Sequence, residues 1–381
     1  MRFPFRQSAD TYLYVLVLFV CLASFQSTAI TMMLLSLTLL LWILRLDQDS
    51  LAFYRTDALV TAVTVLIVVR FLSFLFSVSP FTSLAGSRKL IPLLLFYPAY
   101  LAVCSERRRT VFMYAAISSC VAASVYGIGV AFFQVSHRAM GPSSGAYTLA
   151  TLQAMVFPFT LWLLVESSPR YRKALAAGAM IVILISLAAT LCRAQVGAVV
   201  IVILTAAYVS RKRVWLYSLV AVVAVTAATP ALLDRIVLAL GGVKAAFPAR
   251  WELWSHGLEL FAKRPLRGYG MGTFKEIFPR ELLSQIPDAG LRSWHNDVMQ
   301  VAIEGGVIAL VALLLVLWLY FRALRSVAQD AASVSTTAFY LGLGLLAFFI
   351  TFLFGHLLGD PMVSPFAFLC LGCFARACRR S

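Results

Sequence analysis

The longest uncharged stretch of the chain, Thr11–Leu44, restricts what the chain can fold into. It contains no Asp, Glu, Lys or Arg, and it is longer than the roughly 20 residues with which a helix crosses a bilayer. We therefore expect it to fold back on itself near Ser24–Thr28. Because 61% of the 381 residues are hydrophobic and only 13% are charged, the composition predicts a polytopic membrane protein rather than a soluble domain.

The hydrophobic pattern predicts an all-α bundle of about twelve membrane-spanning helices. The predicted spans are 11–25, 28–44, 57–78, 89–104, 110–134, 146–165, 173–191, 194–210, 214–230, 298–321, 336–357 and 362–375. The first nine spans occupy residues 1–230, a partly helical loop occupies 231–297, and the last three spans lie in 298–381. Basic clusters such as Arg107-Arg108-Arg109 and Arg211-Lys212-Arg213 fall in alternate connections. The positive-inside rule therefore predicts cytoplasmic termini and a loop on the outer side.

Several basic residues lie on this predicted outer side, against the rule. Arg88 and Lys89 open the fourth span, Arg138 follows the fifth, and Arg193 begins the eighth. A long loop can escape the positive-inside rule, but short connections follow it. Positive charge retained here indicates an anionic ligand, although the position of Arg193 is equally compatible with a simple interfacial anchor.

The outer loop contains a predicted helix that carries an arginine on its apolar face. Pro248 indicates the helix start, and the pattern continues to about Ala262. An arginine on an apolar face requires a buried partner, so we expect Arg250 to point into the bundle. The following segment, Gly268–Gly272, has three glycines in five residues and is interpreted as a flexible turn.

Ser293–Gly306, where the outer loop enters the tenth span, is interpreted as a helix. Helical spacing places His295 opposite Asp297 and Glu304. A histidine at a membrane–water boundary is suited to accept a proton, because its pKa lies near working pH. The alternative is a capping histidine that bonds to water. Asp360, between the last two spans, could orient a base, pair with an arginine or cap a helix.

Three polar or reactive groups lie within predicted spans. Arg70 is costly there unless it is paired, and the sequence assigns it no partner because Asp57 lies at a different depth. The pair Cys370 and Cys373 has the spacing of a metal or redox site. In a helical span, with no cluster of histidines or carboxylates to complete a metal site, the two are interpreted as packing residues.

Taken together, these segments resemble the O-antigen ligase family, within the superfamily of membrane O-antigen ligases and polymerases. The resemblance covers roughly residues 130–365. The similar segments are Thr190-Leu-Cys-Arg193, Ala249-Arg250-Trp251, Lys263-Arg264-Pro265, His295-Asn296, Glu304-Gly305, the Gly141–Tyr147 loop and Asp360.

The resemblance implies a GT-C-like fold and a glycosyltransferase of lipopolysaccharide biosynthesis in the bacterial inner membrane. The family transfers a completed polysaccharide from an undecaprenyl diphosphate carrier to a sugar hydroxyl of lipid A–core, on the periplasmic face and without a nucleotide, metal or other cofactor. His295 is then the general base, and Arg193 and Arg250 bind the diphosphate. The second-rank site residues are Arg88, Arg138 and Asp360.

Other function classes fit the sequence less well. A polymerase of the same superfamily would use a similar donor site, but one long outer loop rather than two favours a ligase. A transporter of lipid-linked sugars should contain internal repeats or several deep charges, whereas only Arg70 lies deep. The net charge of +16 does not indicate nucleic-acid binding, because the basic residues lie in connections between apolar spans.

Overall fold

The chain is α-helical throughout the residues that the structure describes. A computed structural model describes residues 4–46, 54, 56–133, 137–166, 169–210, 214–241, 248–279, 293–329 and 336–379. These residues contain no strand, only one isolated bridge between Gly141 and Ser144. The all-α polytopic fold is therefore confirmed. The basic cluster Arg211-Lys212-Arg213 lies outside the described residues.

Sixteen α-helices occur in the described residues, with two 3₁₀ segments at Ser73–Phe76 and Ser87–Leu95. The α-helices are α1 Pro4–Ala23, α2 Thr28–Arg45, α3 Ala58–Leu72, α4 Pro80–Gly86, α5 Phe96–Ala102, α6 Glu106–Phe133, α7 Ala146–Glu166, α8 Arg170–Ala189, α9 Arg193–Ser210, α10 Val214–Ala227, α11 Pro230–Leu240, α12 Pro248–Lys263, α13 Phe274–Ile277, α14 Asp297–Gln329, α15 Thr336–Phe352 and α16 Val363–Cys378.

Helices occur at all twelve predicted positions, but the count of about twelve spans is not confirmed. Within the described residues, six helical segments are long and apolar enough to cross a membrane, and α10 with α11, bent by 98°, makes a possible seventh. Four more apolar helices are shorter. The fourth predicted span shows one reason for the difference. It consists of the 3₁₀ segment, which contains Pro92, followed by the seven-residue α5, because proline interrupts α-helical hydrogen bonding.

The centre of the bundle is α7, whose side chains are buried on every side from Thr151 to Leu163. A helix that is apolar all round is expected in such a position. It packs against α8 and α15, while α14 packs against α3 and α16 packs against α5. Large apolar side chains on the outer helices, such as Leu44, Tyr208 and Leu216, remain exposed, as expected for surfaces that contact lipid.

Helix α14 is interrupted at Gly306, where φ is 68° and ψ is −167°. The loop that follows α12 supplies hydrogen bonds to the backbone around this break. These bonds run from Val307 N to Pro265 O at 2.7 Å, from Tyr269 N to Ile303 O at 2.9 Å, and from Gly270 N to Glu304 O at 2.8 Å. The break is therefore satisfied by a neighbouring segment, which fixes the loop against the first turns of α14.

The loop around Gly268, Gly270 and Gly272 is closely packed, in contrast to the predicted flexible turn. All three glycines have positive φ, a conformation that other residues rarely adopt. A Cβ atom on Gly268 would lie 2.6 Å from the carbonyl oxygen of Glu304. Glycine is needed here because two backbones approach each other closely.

Arg70, for which the sequence assigned no partner, is paired with Glu304. Its Nη2 lies 2.9 Å from Oε2 of Glu304, and the two side chains are 3% and 4% exposed. The other carboxylate oxygen accepts hydrogen bonds from Gly272 N at 2.7 Å and from the side-chain amide of Gln300. Asp57 instead caps α3 through Leu59 N at 2.9 Å. One buried carboxylate thus connects α3, the glycine loop and α14.

Candidate functional site

Helix α12 directs Arg250 into the bundle, as its sequence predicts. Nη1 of the half-buried Arg250 donates to the carbonyl oxygen of Phe354 at 2.7 Å. The helix itself is held by an aromatic cluster in which Phe274 packs edge-on against the fully buried Trp294 at 4.9 Å between ring centroids. Trp254 Nε1 also donates to Trp294 O at 2.9 Å. The cluster fixes α12 to the segment just before α14.

Arg193 lies at the first position of α9, close to two other arginines. Its Nη1 donates to the carbonyl oxygen of Arg235 at 2.8 Å. The positive charges of Arg235 and Arg250 both act electrostatically on Arg193. The N-terminus of α9 adds further partial positive charge. Such a group of like charges repels itself and favours a bound anion, and guanidinium groups suit phosphate oxygens in particular.

Arg193 also lines an apolar cavity of about 550 Å³ between α9, α10 and α11. Apart from Arg193 and Thr226, the side chains that line it are apolar. The lining residues are Arg193, Ala194, Val196, Gly197, Val200, Ile201, Val222, Val223, Thr226, Ala227, Leu233, Ile236 and Phe354. This donor cavity, as we call it below, combines a hydrocarbon-like interior with one guanidinium, which suits an amphiphile with an anionic headgroup.

Arg138 contacts the turn that precedes Arg193. Its Nε and Nη2 donate to the carbonyl oxygen of Thr190 at 3.0 and 2.9 Å, and Nη2 lies 3.6 Å from Cys192 Sγ. These bonds fix the backbone that leads into α9. Arg138 does not line the donor cavity. Its hydrogen bonds instead hold the turn from which Arg193 extends.

His295 precedes α14 and does not lie on it, so the predicted helix over Ser293–Gly306 is wrong at its start. The helix begins at Asp297, and Asn296 caps it by accepting a hydrogen bond from Met299 N at 3.0 Å. The half-buried His295 has a φ of 49°. For a residue other than glycine this left-handed backbone is strained by about 1–3 kcal/mol, and such strain concentrates at functional sites.

A contact between Asp297 and His356 was missed in the sequence. Asp297 is fully buried, and its Oδ2 accepts hydrogen bonds from Leu357 N at 2.6 Å and Leu358 N at 3.2 Å. Its Oδ1 lies 3.3 Å from Nδ1 of His356. The other ring nitrogen of His356 lies 3.5 Å from Lys89 Nζ.

The Asp297 carboxylate and the His356 ring lie close together but do not form a hydrogen bond, because the geometry between Oδ1 and Nδ1 is unsuitable. A carboxylate that accepts a hydrogen bond from an imidazole orients it for proton transfer, and here the two groups lie close to each other without that bond. The only signal in the sequence was a charged residue, Asp297, at the entry to a span. The partner is far away along the chain, so spacing did not reveal it.

Asp360 caps a helix, which is one of the three roles left open by the sequence. Its Oδ1 accepts hydrogen bonds from Met362 N and Val363 N, both at 2.9 Å, at the start of α16. Its Oδ2 accepts a hydrogen bond from the hydroxyl of Thr148 at 2.6 Å. Among the described residues, no arginine or histidine contacts this carboxylate.

The predicted site residues are brought together only in part. Arg193 lines the donor cavity, and Arg250 binds Phe354, which also lines it. Asp297, at the start of α14, binds the α15–α16 connection to which Phe354 belongs. Arg88 is exposed and lines a different cavity. We call this end of the bundle, which carries Arg193, Arg250 and Asp297, the loop end.

These features define an integral membrane protein with a cationic site at the end of an apolar cavity. Residues 178–314 match the family model described as O-Antigen ligase. The match, which covers about a third of the chain, supports the resemblance to the O-antigen ligase family over residues 178–314 and a transferase activity in general. The matched segment includes Arg193, Arg250 and His295. No curated protein matches the chain.

Proposed function

We propose that the protein is an O-antigen ligase of the bacterial inner membrane. It transfers a polysaccharide from an undecaprenyl diphosphate carrier to a sugar hydroxyl of lipid A–core, on the periplasmic face. The family match supports the reaction class, and the donor cavity supports the type of donor. The cavity is the observation that carries the proposal. Its apolar interior suits the lipid tail of the donor, and Arg193 suits the diphosphate to which that tail is linked.

The guanidinium groups of Arg193 and Arg250 bind the diphosphate. In the reaction, the acceptor oxygen bonds to the anomeric carbon of the donor sugar, and the bond from that carbon to the diphosphate oxygen breaks. The electron pair of the broken bond leaves with the diphosphate, whose negative charge grows in the transition state. Fixed guanidiniums stabilise that charge without having to reorganise.

His295 takes the proton that the acceptor hydroxyl loses as it attacks. General-base catalysis of this kind contributes about 10² to 10⁴ in rate. The backbone of His295 lies between the buried Trp294 and the Asn296 cap, which places the residue at the entry to α14. Arg138 is a positioning residue for Arg193, and Asp360 positions the start of α16.

Lipopolysaccharide gel profiles of a deletion strain test this function. Loss of a ligase leaves core without polymer, while the undecaprenyl-linked polymer accumulates. Loss of a polymerase instead leaves core that carries a single repeat unit, which would assign the protein to the other activity of the superfamily. Complementation with the intact gene should restore the wild-type ladder.

The periplasmic position of the loop end needs its own test. The side chain of Lys275, in α13, is exposed, so a cysteine there should react with a membrane-impermeant thiol reagent in intact spheroplasts. Arg325, on the far part of α14 and also exposed, provides the matched control, which should react only after lysis. The reverse pattern would contradict the proposed orientation.

A further inference from the structure

A second apolar groove runs along α3, separate from the donor cavity. Its two parts have volumes of about 550 and 460 Å³ and share Ile67 and Leu94. Along α3 the groove extends from Val60 to Phe71, about 16 Å at the helical rise of 1.5 Å per residue. That length is close to half of a hydrocarbon core about 30 Å thick. A groove of this length can accommodate a lipid acyl chain.

The end of this groove nearest the glycine loop is positively charged. Arg88 lines it, is exposed, and makes no hydrogen bond or ion pair with another described residue. Lys89 follows directly in the chain. No acidic side chain lines either part of the groove among the described residues. Its charge is therefore complementary to an acylated molecule whose headgroup carries phosphate.

Lys89, next to Arg88 in the chain, connects the charged end of the groove to the α15–α16 connection. Lys89 Nζ lies 3.5 Å from His356 Nε2, and the opposite ring nitrogen of His356 lies 3.3 Å from Asp297. Two residues before His356, Phe354 binds Arg250 and lines the donor cavity. A headgroup on Arg88 is thus one residue along the chain from a contact with the α15–α16 connection, whose Phe354 lines the donor cavity.

We propose that this groove is the acceptor site, in which a phosphate-bearing, acylated glycolipid lays its acyl chains along α3 and its phosphate on Arg88. The inference rests on the proposed ligase function, which requires two lipid substrates to meet from different sides of one site. It separates the arginines by role: Arg193 and Arg250 serve the donor, and Arg88 serves the acceptor.

Steady-state kinetics of the purified full-length protein in liposomes test the assignment. Arg88→Ala should raise the KM for lipid A–core about tenfold or more, the effect of one lost charge-assisted contact, and leave the KM for the undecaprenyl-linked donor unchanged. Arg267→Ala is the matched control, because Arg267 is also exposed at the loop end but lines neither part of the groove. Equal effects of Arg88→Ala on both KM values, or no effect, would overturn the proposal.

Filling the groove provides a second variant that does not depend on charge. Ala85→Phe places a ring in the charged half of the groove and should also raise the KM for the acceptor alone. Val78→Phe adds a larger side chain at an exposed position outside the groove, and should have no such effect. An unchanged acceptor KM in a stably folded Ala85→Phe protein would contradict the proposed path of the acyl chains.

Lipid binding measured by native mass spectrometry keeps the proposal testable if the protein shows no transfer at all. Lipid A–core should be retained in preference to phosphatidylglycerol, and Arg88→Ala should remove that preference. Equal retention of both lipids would make the groove a general anionic-lipid surface and refute the acceptor assignment. Absence of transfer by the wild-type protein would refute the proposed function separately.

Discussion

Replacing Glu304 with glutamine should destabilise the protein strongly, because it leaves the Arg70 guanidinium charged, buried and without a counter-charge. Both side chains are almost fully buried, and glutamine can still accept the hydrogen bond from Gly272 N. The change removes the charge and also replaces the oxygen that faces Arg70 by an amide nitrogen, which cannot accept its hydrogen bond. Breaking a buried ion pair by removing one partner costs about 3–5 kcal/mol. An unfolding entropy of about 2.1 cal/mol/K per residue over the 381 residues converts about 4 kcal/mol into a Tm lowered by about 5 °C.

Thermal unfolding of four purified proteins in detergent measures this effect: wild type, Glu304→Gln, Arg70→Met and the double variant. The double variant should recover much of the stability lost by Glu304→Gln, because a neutral buried pair carries no uncompensated charge. Asp10→Asn is the control, since the Asp10–Arg45 pair is 39% and 19% exposed, and water screening limits its contribution to about 1 kcal/mol.

Additive effects would refute this reasoning. If the changes in unfolding free energy of the two single variants sum to that of the double variant within about 0.5 kcal/mol, Arg70 and Glu304 do not stabilise each other. A Tm for Glu304→Gln no lower than that of Asp10→Asn would lead to the same conclusion.

Three further predictions concern the site and its supporting loop. His295→Ala should reduce transfer by about 10² to 10⁴ and preserve binding of the lipid-linked donor in liposomes, and near wild-type turnover would exclude it as the base. Arg193→Lys and Arg250→Lys should both impair ligation at matched protein levels, because an ammonium lacks the forked donors of guanidinium, and normal ligation by both would remove them from the site. Gly306→Ala should lower the Tm by several degrees, because its Cβ would lie 2.3 Å from a backbone carbonyl oxygen at positive φ, whereas Gly145→Ala, with open space around it, should not.

Much of the fold follows from local properties of the sequence. The positions of the helices follow from apolar runs, and the inward direction of Arg250 follows from its place on the apolar face of α12. The sequence also identified Arg70 as a residue that needs a partner. It could not identify Glu304 as that partner, because 234 residues separate them and only tertiary packing brings them together.

The candidate site was less predictable than the fold. Helical spacing placed His295 on α14, but Asn296 caps the helix, which therefore begins at Asp297, two residues after His295. Asp297, at the start of α14, and His356, between α15 and α16, are brought together only by tertiary folding. No local sequence pattern predicts their contact. Arg88 and Arg193 are both basic residues at outer span ends, and in the sequence only the family resemblance ranks Arg193 above Arg88. The structure adds that they line different cavities.

The hydrogen bonds around Gly306 also limit the order in which parts of the protein can fold during synthesis. The loop that carries Pro265 and Gly270 leaves the ribosome before the segment to which it bonds, Ile303–Val307. At about 5–20 residues per second the loop waits some seconds for these partners. A nascent chain that stops short of Glu304 carries the glycine loop without its backbone partners and Arg70 without its counter-charge.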